Sequence, residues 1–323
     1  ENIKELSKVY LDFKQKIKNF RNLSAIIAIS GGPDSLGLAA LAKAYSYEKR
    51  VKFYYVLINH NIRKLSSQEA NQVKSLLKKY KIHLNIITNK VKINNNIQNE
   101  ARKVRYNLLK KFCEKKNARF IMTAHNLEDQ VETFFIRLSR GSGLTGLSSM
   151  NSLVNLNNKI KLFRPLLNVK KKNLIKISKL IFGKYFKDPS NKNVKFLRTK
   201  IRNLKKPLKL SGINYDQIIK SINNLASSKT TLDQYYRKTF KEIVLKTKHK
   251  IELDFKKFNV LNKDIQIRLI NDSIKLLKNN YYNPRAQKVG NLIKDLRTNK
   301  VSKRTLGGCL FFVNKGKLCL KIQ

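Results

Sequence analysis

Apolar and polar positions alternate in two registers along the first 165 or so residues. Runs 25–29, 53–59, 84–88, 120–124 and 159–163 are short, apolar and bounded by polar turns, which predicts strands. Between them the apolar positions recur every three or four residues. Ala70, Val73, Leu77 and Tyr80 form one such stripe behind Ser66-x-x-Glu69, the spacing of a capping box, and Ile97, Ala101, Val104, Leu108 and Phe112 form another. Strand and helix in turn predict an α/β fold: a mostly parallel five-stranded sheet with helices on both faces, the stripes being its core.

The texture changes near Leu208. Amphipathic runs at 216–225, 232–245, 265–277 and 286–296 are rich in Lys and Asn, and the alternating segment 309–322 carries Asn314-Lys315-Gly316 where a hairpin would turn. Two domains are therefore expected, 1–207 and 208–323, the second mainly helical and ending in a small β-hairpin. No fixed-period repeat and no Gly/Ser-rich or Pro-rich linker interrupts them.

Composition alters this picture mainly through charge. The 323 residues include 70 Lys+Arg against 20 Asp+Glu, a formal charge of +50. A hydrophobic share of 41% is enough for an ordinary core, so the charge belongs to folded protein and not to a disordered tail. Its natural partner is a polyanion, nucleic acid first. Yet 54 of the basic residues are lysine, and Lys, Asn and Ile all have A/T-rich codons, so genome composition accounts equally well for half of the excess. Spread along the chain, the charge locates no site.

Cys113, Cys309 and Cys319 form no C-x-x-C pair, which argues against a disulfide framework or a zinc ribbon and for a reduced cytoplasm. No run of about 18 apolar residues exists, and Glu1-Asn2-Ile3-Lys4-Glu5 begins no signal-peptide core. A soluble cytoplasmic protein without a membrane partner is expected.

The densest chemical signal is Ser30-Gly31-Gly32-Pro33-Asp34-Ser35, between run 25–29 and a helix predicted to begin near Leu36. Glycines let the backbone turn tightly and bring its N–H groups near a polyphosphate; hydroxyls and the helix N-terminus add donors, and Asp34 can hold Mg²⁺. The Gly-Lys-Ser/Thr of a Walker A loop is missing, which disfavours a kinase or a γ-phosphate motor. Two further segments start at the carboxyl ends of predicted strands, the edge where open α/β sheets bind ligands: Ile58-Asn59-His60-Asn61-Ile62-Arg63 and the stretch from Thr123 to Thr133.

In the latter, His125, Asp129 and Glu132 fall at i, i+4 and i+7 on one helix face, away from the apolar Val131, Phe134, Phe135 and Leu138. Glu128, Asp129 and Glu132 crowd three of the scarce acids into five positions beside a crevice meant for a polyanion. They suit a metal or a cationic substrate, the bland alternative being a solvated first turn favoured by the helix dipole. Arg102 and Arg105, and likewise Arg198 and Arg202, are spaced to grip phosphate or else to form a solvated basic face.

The hexapeptide resembles the signature of the PP-loop ATP pyrophosphatases, which share an adenine nucleotide alpha hydrolase-like fold and split ATP into AMP and pyrophosphate while adenylating a carbonyl-type oxygen. More blocks narrow it: Asn96-Ile97-Gln98 leading into Ala101-Arg102-x-x-Arg105-Tyr106, the 125–133 block, Arg137-Leu138-x-Arg140-Gly141-Ser142-Gly143-Leu144, Arg164-Pro165-Leu166-Leu167, and Asp188-Pro189-Ser190-Asn191 with Arg198 and Arg202. Across residues 20–205 the chain resembles the tRNA(Ile)-lysidine synthase family. It departs from the family pattern at Asn59, Asn126, Glu128 and Lys200.

The resemblance implies an ATP-dependent ligase acting on the wobble cytidine of tRNA(Ile) with a CAU anticodon and on free L-lysine. The base O2 attacks the α-phosphate of ATP, pyrophosphate leaves, and the ε-amine of lysine displaces AMP from C2. Carried onto this sequence, Ser30, Gly31, Gly32, Pro33, Asp34 and Ser35 bind ATP, with Mg²⁺ on Asp34. Glu128, Asp129 and Glu132 bind lysine. Asp34, Arg102, Arg105, His125, Asp129 and Glu132 make up the catalytic set, and Arg63, Arg198 and Arg202 contact tRNA. A basic tRNA-binding role for 208–323 and a homodimer belong to the same expectation. One rival is a PP-loop tRNA thiolase, which would want a cysteine pair near the loop, where Cys113 is alone. The other is a basic RNA-binding module without turnover, which the intact loop and its carboxylates disfavour.

Overall fold

The computed structural model describes residues 2–18, 24–49, 51–62, 65–91, 97–186, 197–247, 250–278, 284–298 and 303–323. They divide into two compact units, Glu1–Ala226 and Ser227–Gln323. The first holds strands β1 (Ser24–Ile29), β2 (Lys52–Asn59), β3 (Leu84–Thr88), β4 (Phe120–Met122), β5 (Leu153–Asn155) and β6 (Lys161–Phe163). Their helices are α1 (Asn2–Ile17), α2 (Pro33–Glu48), α3 (Ser66–Lys79), α4 (Ile97–Lys115), α5 (Leu127–Leu138), α6 (Leu144–Leu147), α7 (Lys171–Phe182), α8 (Leu197–Asn203) and α9 (Lys205–Leu210), followed by α10 (Tyr215–Ile243), which continues into the second unit.

The strands form one sheet in the order β3-β2-β1-β4-β6-β5. All neighbours are parallel except the β5–β6 pair. Each central strand is an unbroken apolar run because both faces are covered. Ala25, Ile27 and Ile29 point to a cluster with Phe13 of α1, Leu38 of α2, Val73 of α3 and Leu174 of α7. Ile26, one residue out of phase, joins Val56 and Ile121 under Leu109 and Cys113 of α4. A Cβ at Gly37 would meet the Leu174 carbonyl oxygen at 3.3 Å, so the missing side chain lets α2 and α7 touch.

Three expectations need amending in this unit. The sheet has a sixth strand, β5, a three-residue antiparallel edge too short to carry a period of its own. Ser66 is the first residue of α3 and not its cap: Leu65 precedes it in helical conformation with no side-chain cap bond, whereas a capping side chain needs extended backbone. The buried line of α4 runs through Leu109 and Cys113, while Ile97 stays 48% exposed. The stripe read through Leu108 and Phe112 is about 100° off, one residue's turn.

In the second unit β7 (Val244–Lys246), β8 (Lys250–Asp254), β9 (Arg304–Leu306), β10 (Cys309–Asn314) and β11 (Lys317–Ile322) form an antiparallel sheet ordered β7-β8-β11-β10-β9. The expected hairpin is its β10–β11 pair, closed between Asn314 and Lys317. Helices α11 (Phe255–Asn259), α12 (Lys263–Leu277) and α13 (Ala286–Arg297) cover it, burying Phe258, Leu269 and Leu292 against Phe311 and Leu320. The three extra strands escape the pattern because 244–246 extends the helical period of α10 and 250–254 offers only Ile251 and Leu253 as alternating apolar positions.

Candidate active site

At the carboxyl end of β1 the chain turns through Ser30–Ser35 into α2. Gly31 has φ +80°, a left-handed conformation, and a Cβ there would meet Val73 Cγ2 at 2.6 Å, so the position needs glycine on both counts. Gly32 caps α2 with extended backbone and Pro33 sits in the first turn, where its missing N–H is no loss. Ser35 Oγ donates to the Gly32 carbonyl (3.0 Å) and accepts from the Ser30 amide (3.1 Å). The loop is thus braced by its own hydroxyls, leaving backbone amides at a helix N-terminus to meet an anion.

Asp34 opens the same turn. Its Oδ1 is buried without a partner, and its Oδ2 lies 3.7 Å from Lys171 Nζ. Burial pushes the carboxyl up to about 6; Lys171 and a hydrogen bond from the Asn126 side chain oppose the shift, and the nearby Asp129 and Glu128 carboxylates add to it.

Helix α5 starts beside this turn on a reciprocal capping box. Asn126 Oδ1 accepts from the Asp129 amide and Asp129 Oδ2 from the Asn126 amide, both at 3.1 Å. Asn at this position is as good a cap as the aspartate common in the resembled pattern, so the departure keeps the local structure. The acidic face is assembled but largely occupied. Glu132, 2% exposed, is gripped by Arg202, whose second nitrogen reaches Oε2 at 3.2 Å, and lies 3.1 Å from Arg198 Nε. Helix α8 buries Thr199 and Ile201 and so turns these two arginines, four residues apart, toward α5. Glu128 accepts from the Lys171 amide (2.9 Å) and pairs with Lys205 (3.3 Å). Asp129 has no ion pair among the described residues.

His125, after the end of β4, shares a hydrogen bond between its Nδ1 and the Thr123 hydroxyl, 2.8 Å apart. Burial is the main cause that pushes it down to about 4; Asp129 opposes, and Arg164, Arg102 and Arg198 reinforce. It is a neutral imidazole at pH 7. The structure separates the α4 arginines: Arg102 lies over the Tyr106 ring (5.1 Å) on the side of His125 and Arg164, whereas Arg105 bears on His60 at the end of β2. Both His60 ring nitrogens are buried without partners.

Ser30 to Ser35, Asp34, His125, Glu128, Asp129, Glu132, Arg102, Arg198 and Arg202 therefore share one edge of one sheet. Arg198 and Arg202, expected as tRNA contacts, face Glu132. Arg63 and 188–191 lie outside the described residues. Lys171 was missed because nothing distinguishes it from its neighbours in Lys170-Lys171-Lys172; Arg164 was quoted in a motif without a role, although its place just after a strand was a signal. Among the described residues no group of three or more His, Cys, Asp or Glu could hold a metal. Cys113 is buried, donates to the Ala118 carbonyl (3.0 Å) and is pushed up to about 12 by burial. No helix among the described residues is long and apolar enough to cross a membrane.

Comparison with known proteins agrees with this geometry. Residues 6–208 match the family model of the PP-loop domain. The chain is 34% identical over 295 residues to a tRNA(Ile)-lysidine synthase of Wolbachia pipientis wMel, covering 90% of this chain and 68% of the relative. It is 31% identical over 310 residues to the tRNA(Ile)-lysidine synthase of Wolbachia sp. subsp. Brugia malayi, covering 94% and 72%. Among solved structures it is similar to a U34-tRNA thiolase, NcsA from Methanococcus maripaludis with its 4Fe–4S cluster, at TM-score 0.59 and 16% identity over 68% of this chain and 78% of that one. At that identity the likeness shows the fold alone.

Proposed function

The chain belongs to the tRNA(Ile)-lysidine synthase family of PP-loop proteins, and from that premise we propose how its crevice uses ATP to join lysine to a tRNA cytidine. The enzyme is an ATP-dependent ligase. In the first step the wobble cytidine O2 of tRNA(Ile) with a CAU anticodon bonds to the α-phosphorus and the bond to the β-phosphate oxygen breaks, releasing pyrophosphate. In the second the ε-nitrogen of free lysine bonds to C2, the C2–O2 bond breaks, AMP leaves with that oxygen, and the amine gives up a proton.

The amides of Gly31, Gly32 and Asp34 would meet the charge that grows on phosphate oxygens in the first step. The orphaned Oδ1 of Asp34 is a hard oxygen donor of the kind Mg²⁺ takes when phosphates and waters fill its other positions. Bound there, Mg²⁺ would neutralise phosphate charge. His125, neutral, offers a hydrogen bond to the reacting phosphate; of the α4 arginines, Arg102 would meet a phosphate of the tRNA and Arg105, beside His60, the adenylate. Glu128, Asp129 and Glu132 form the lysine end, with Asp129, which carries no ion pair, taking the ammonium and then its proton. Arg198 and Arg202 hold Glu132 in place. What supports this reading best is that an unpaired Asp129 carboxylate stands close enough to Asp34, on the phosphate loop, to raise its proton affinity.

Residues 1–207 would carry this chemistry and the basic 208–323, with Arg63, the tRNA contacts. The RNA substrate puts the reaction in the cytoplasm, and a homodimer is part of the proposal, to be read from sedimentation. A tRNA thiolase reading lacks a sulfur carrier: Cys113 is buried on the core face of α4, and Cys309 and Cys319 are buried in the second unit. The test is product release. With ATP, Mg²⁺ and tRNA(Ile) bearing CAU, pyrophosphate should appear before lysine is added and AMP mainly after; release of both without tRNA would overturn the two-step assignment.

A further inference from the structure

Arg164 follows β6 directly, at the carboxyl edge of the sheet, and is 7% exposed. One of its nitrogens donates to the Asn151 carbonyl (2.7 Å), but Nε is buried with no partner. No carboxylate lies within ion-pair distance of it among the described residues; the Tyr106 hydroxyl is its one stabilising side-chain neighbour, and the other charged groups that bear on it are two more cations, Arg102 and Arg137. The Arg137 guanidinium is itself spent on the Gly146 (2.6 Å) and Ser149 (2.7 Å) carbonyls. A buried guanidinium without a counterion is unfavourable by itself and is completed by an anion.

Position says which anion. Ile27 of β1 pairs with Met122 of β4, and Met122 with Phe163 of β6, so β4 and β6 end level with each other and β1 runs two residues further, to Ile29, on the same edge. The phosphate loop leaves the first, His125 follows the second, and Arg164 follows the third, two strand spacings or about 10 Å from the loop. On the lysidine-synthase reading the loop would take the triphosphate with the reacting α-phosphate toward His125, which leaves Arg164, beyond His125, on the side open to the RNA strand. Tyr106 and Arg102 stand at the same place, the tyrosine beside the Arg164 guanidinium and under the Arg102 guanidinium. Together they offer two phosphate donors and one ring face to a nucleotide.

Building on the lysidine-synthase reading, we propose that Arg164, with Arg102 and Tyr106, binds a phosphodiester of the RNA strand flanking the target cytidine, an anion site separate from the ATP phosphates. The site is one of positioning: it holds the strand and leaves the bond changes to the groups nearer the loop.

The experiment pairs Arg164→Gln with tRNA(Ile) carrying one uncharged methylphosphonate on either side of the target cytidine. Arg164→Gln should weaken tRNA binding about tenfold or more, lower the slope of log affinity against log salt by about 1, and leave ATP binding to the free enzyme unchanged. One methylphosphonate should weaken binding to the unmodified enzyme by a similar factor and cost the variant nothing further. Arg164→Lys should keep the salt slope and recover part of the affinity, which a merely structural role would not give. Loss of ATP affinity with tRNA affinity intact, or additive losses from variant and methylphosphonate at both positions, would overturn the proposal. If Arg164→Gln fails to fold, the methylphosphonate series on the unmodified enzyme decides: no effect at either flanking phosphate rejects the site. Lysine incorporation by the unmodified enzyme is measured alongside, so failure of the lysidine-synthase reading shows there and failure of this site only in the binding data.

Discussion

Asp34 shows how one residue serves chemistry at the expense of the fold. Its carboxyl, raised from the usual range to about 6, binds a proton more tightly in the folded protein than in the unfolded chain. Stability from this group is therefore fully present below about pH 4 and is lost as pH rises through 6, so its ionised form at neutral pH weighs against folding. Asp34→Asn should unfold at the same or a higher temperature at pH 7, yet lose about 10²-fold or more in ATP turnover. For the native enzyme, kcat/KM for ATP should fall as pH drops through about 6. That limb should stay in place in His125→Gln, because His125 is already neutral down to about 4; a limb that moved with His125 would reassign it. Asp129→Asn keeps an oxygen to accept the Asn126 amide and loses only charge. KM for lysine should rise about tenfold or more, with pyrophosphate release within about twofold of the native rate; equal loss of both steps would remove Asp129 from the lysine end.

At the scale of elements, α5 joins the phosphate loop to the lysine end, and its first turn is held by the Asn126 and Asp129 pair. Asn126→Ala should cost about 1 kcal/mol and a few degrees of thermal midpoint, while Asn126→Asp should keep the cap. Thermal scans of the three proteins check this, and an aspartate as damaging as alanine would contradict it. The strands and the edge they share were legible because buried parallel strands are continuous apolar runs, and the face shared by Asp129 and Glu132 because helical spacing is local. The capping atoms, the paired state of Glu132 and the short strands β5 and β7 were not. Glu132 depends on a partner 70 residues away, Arg202, while the capping atoms are fixed by backbone geometry and the three-residue strands are too short to carry a period. No periodicity encodes any of these.

For the molecule as a whole, the formal charge of +50 is the broadest feature and the least specific. In the second unit Asp233 pairs with Arg268, Asp295 with Arg304 and Glu252 with Lys250 and Lys317, and the lysines there far outnumber the acids that remain. If those lysines steer tRNA through six to ten phosphate contacts, affinity should drop about 10³ to 10⁵ fold between 50 and 200 mM salt. A shallow slope would leave most of the lysine to codon drift. The decisive residues are instead the small acidic minority beside the phosphate loop, and they make one claim above the rest: that this crevice places free lysine on an adenylated cytidine. Radiolabelled L-lysine with ATP, Mg²⁺, the purified protein and tRNA(Ile) bearing a CAU anticodon tests it directly. The account predicts label in that tRNA, dependent on ATP and on the wobble cytidine; folded protein that leaves the tRNA unlabelled would contradict it.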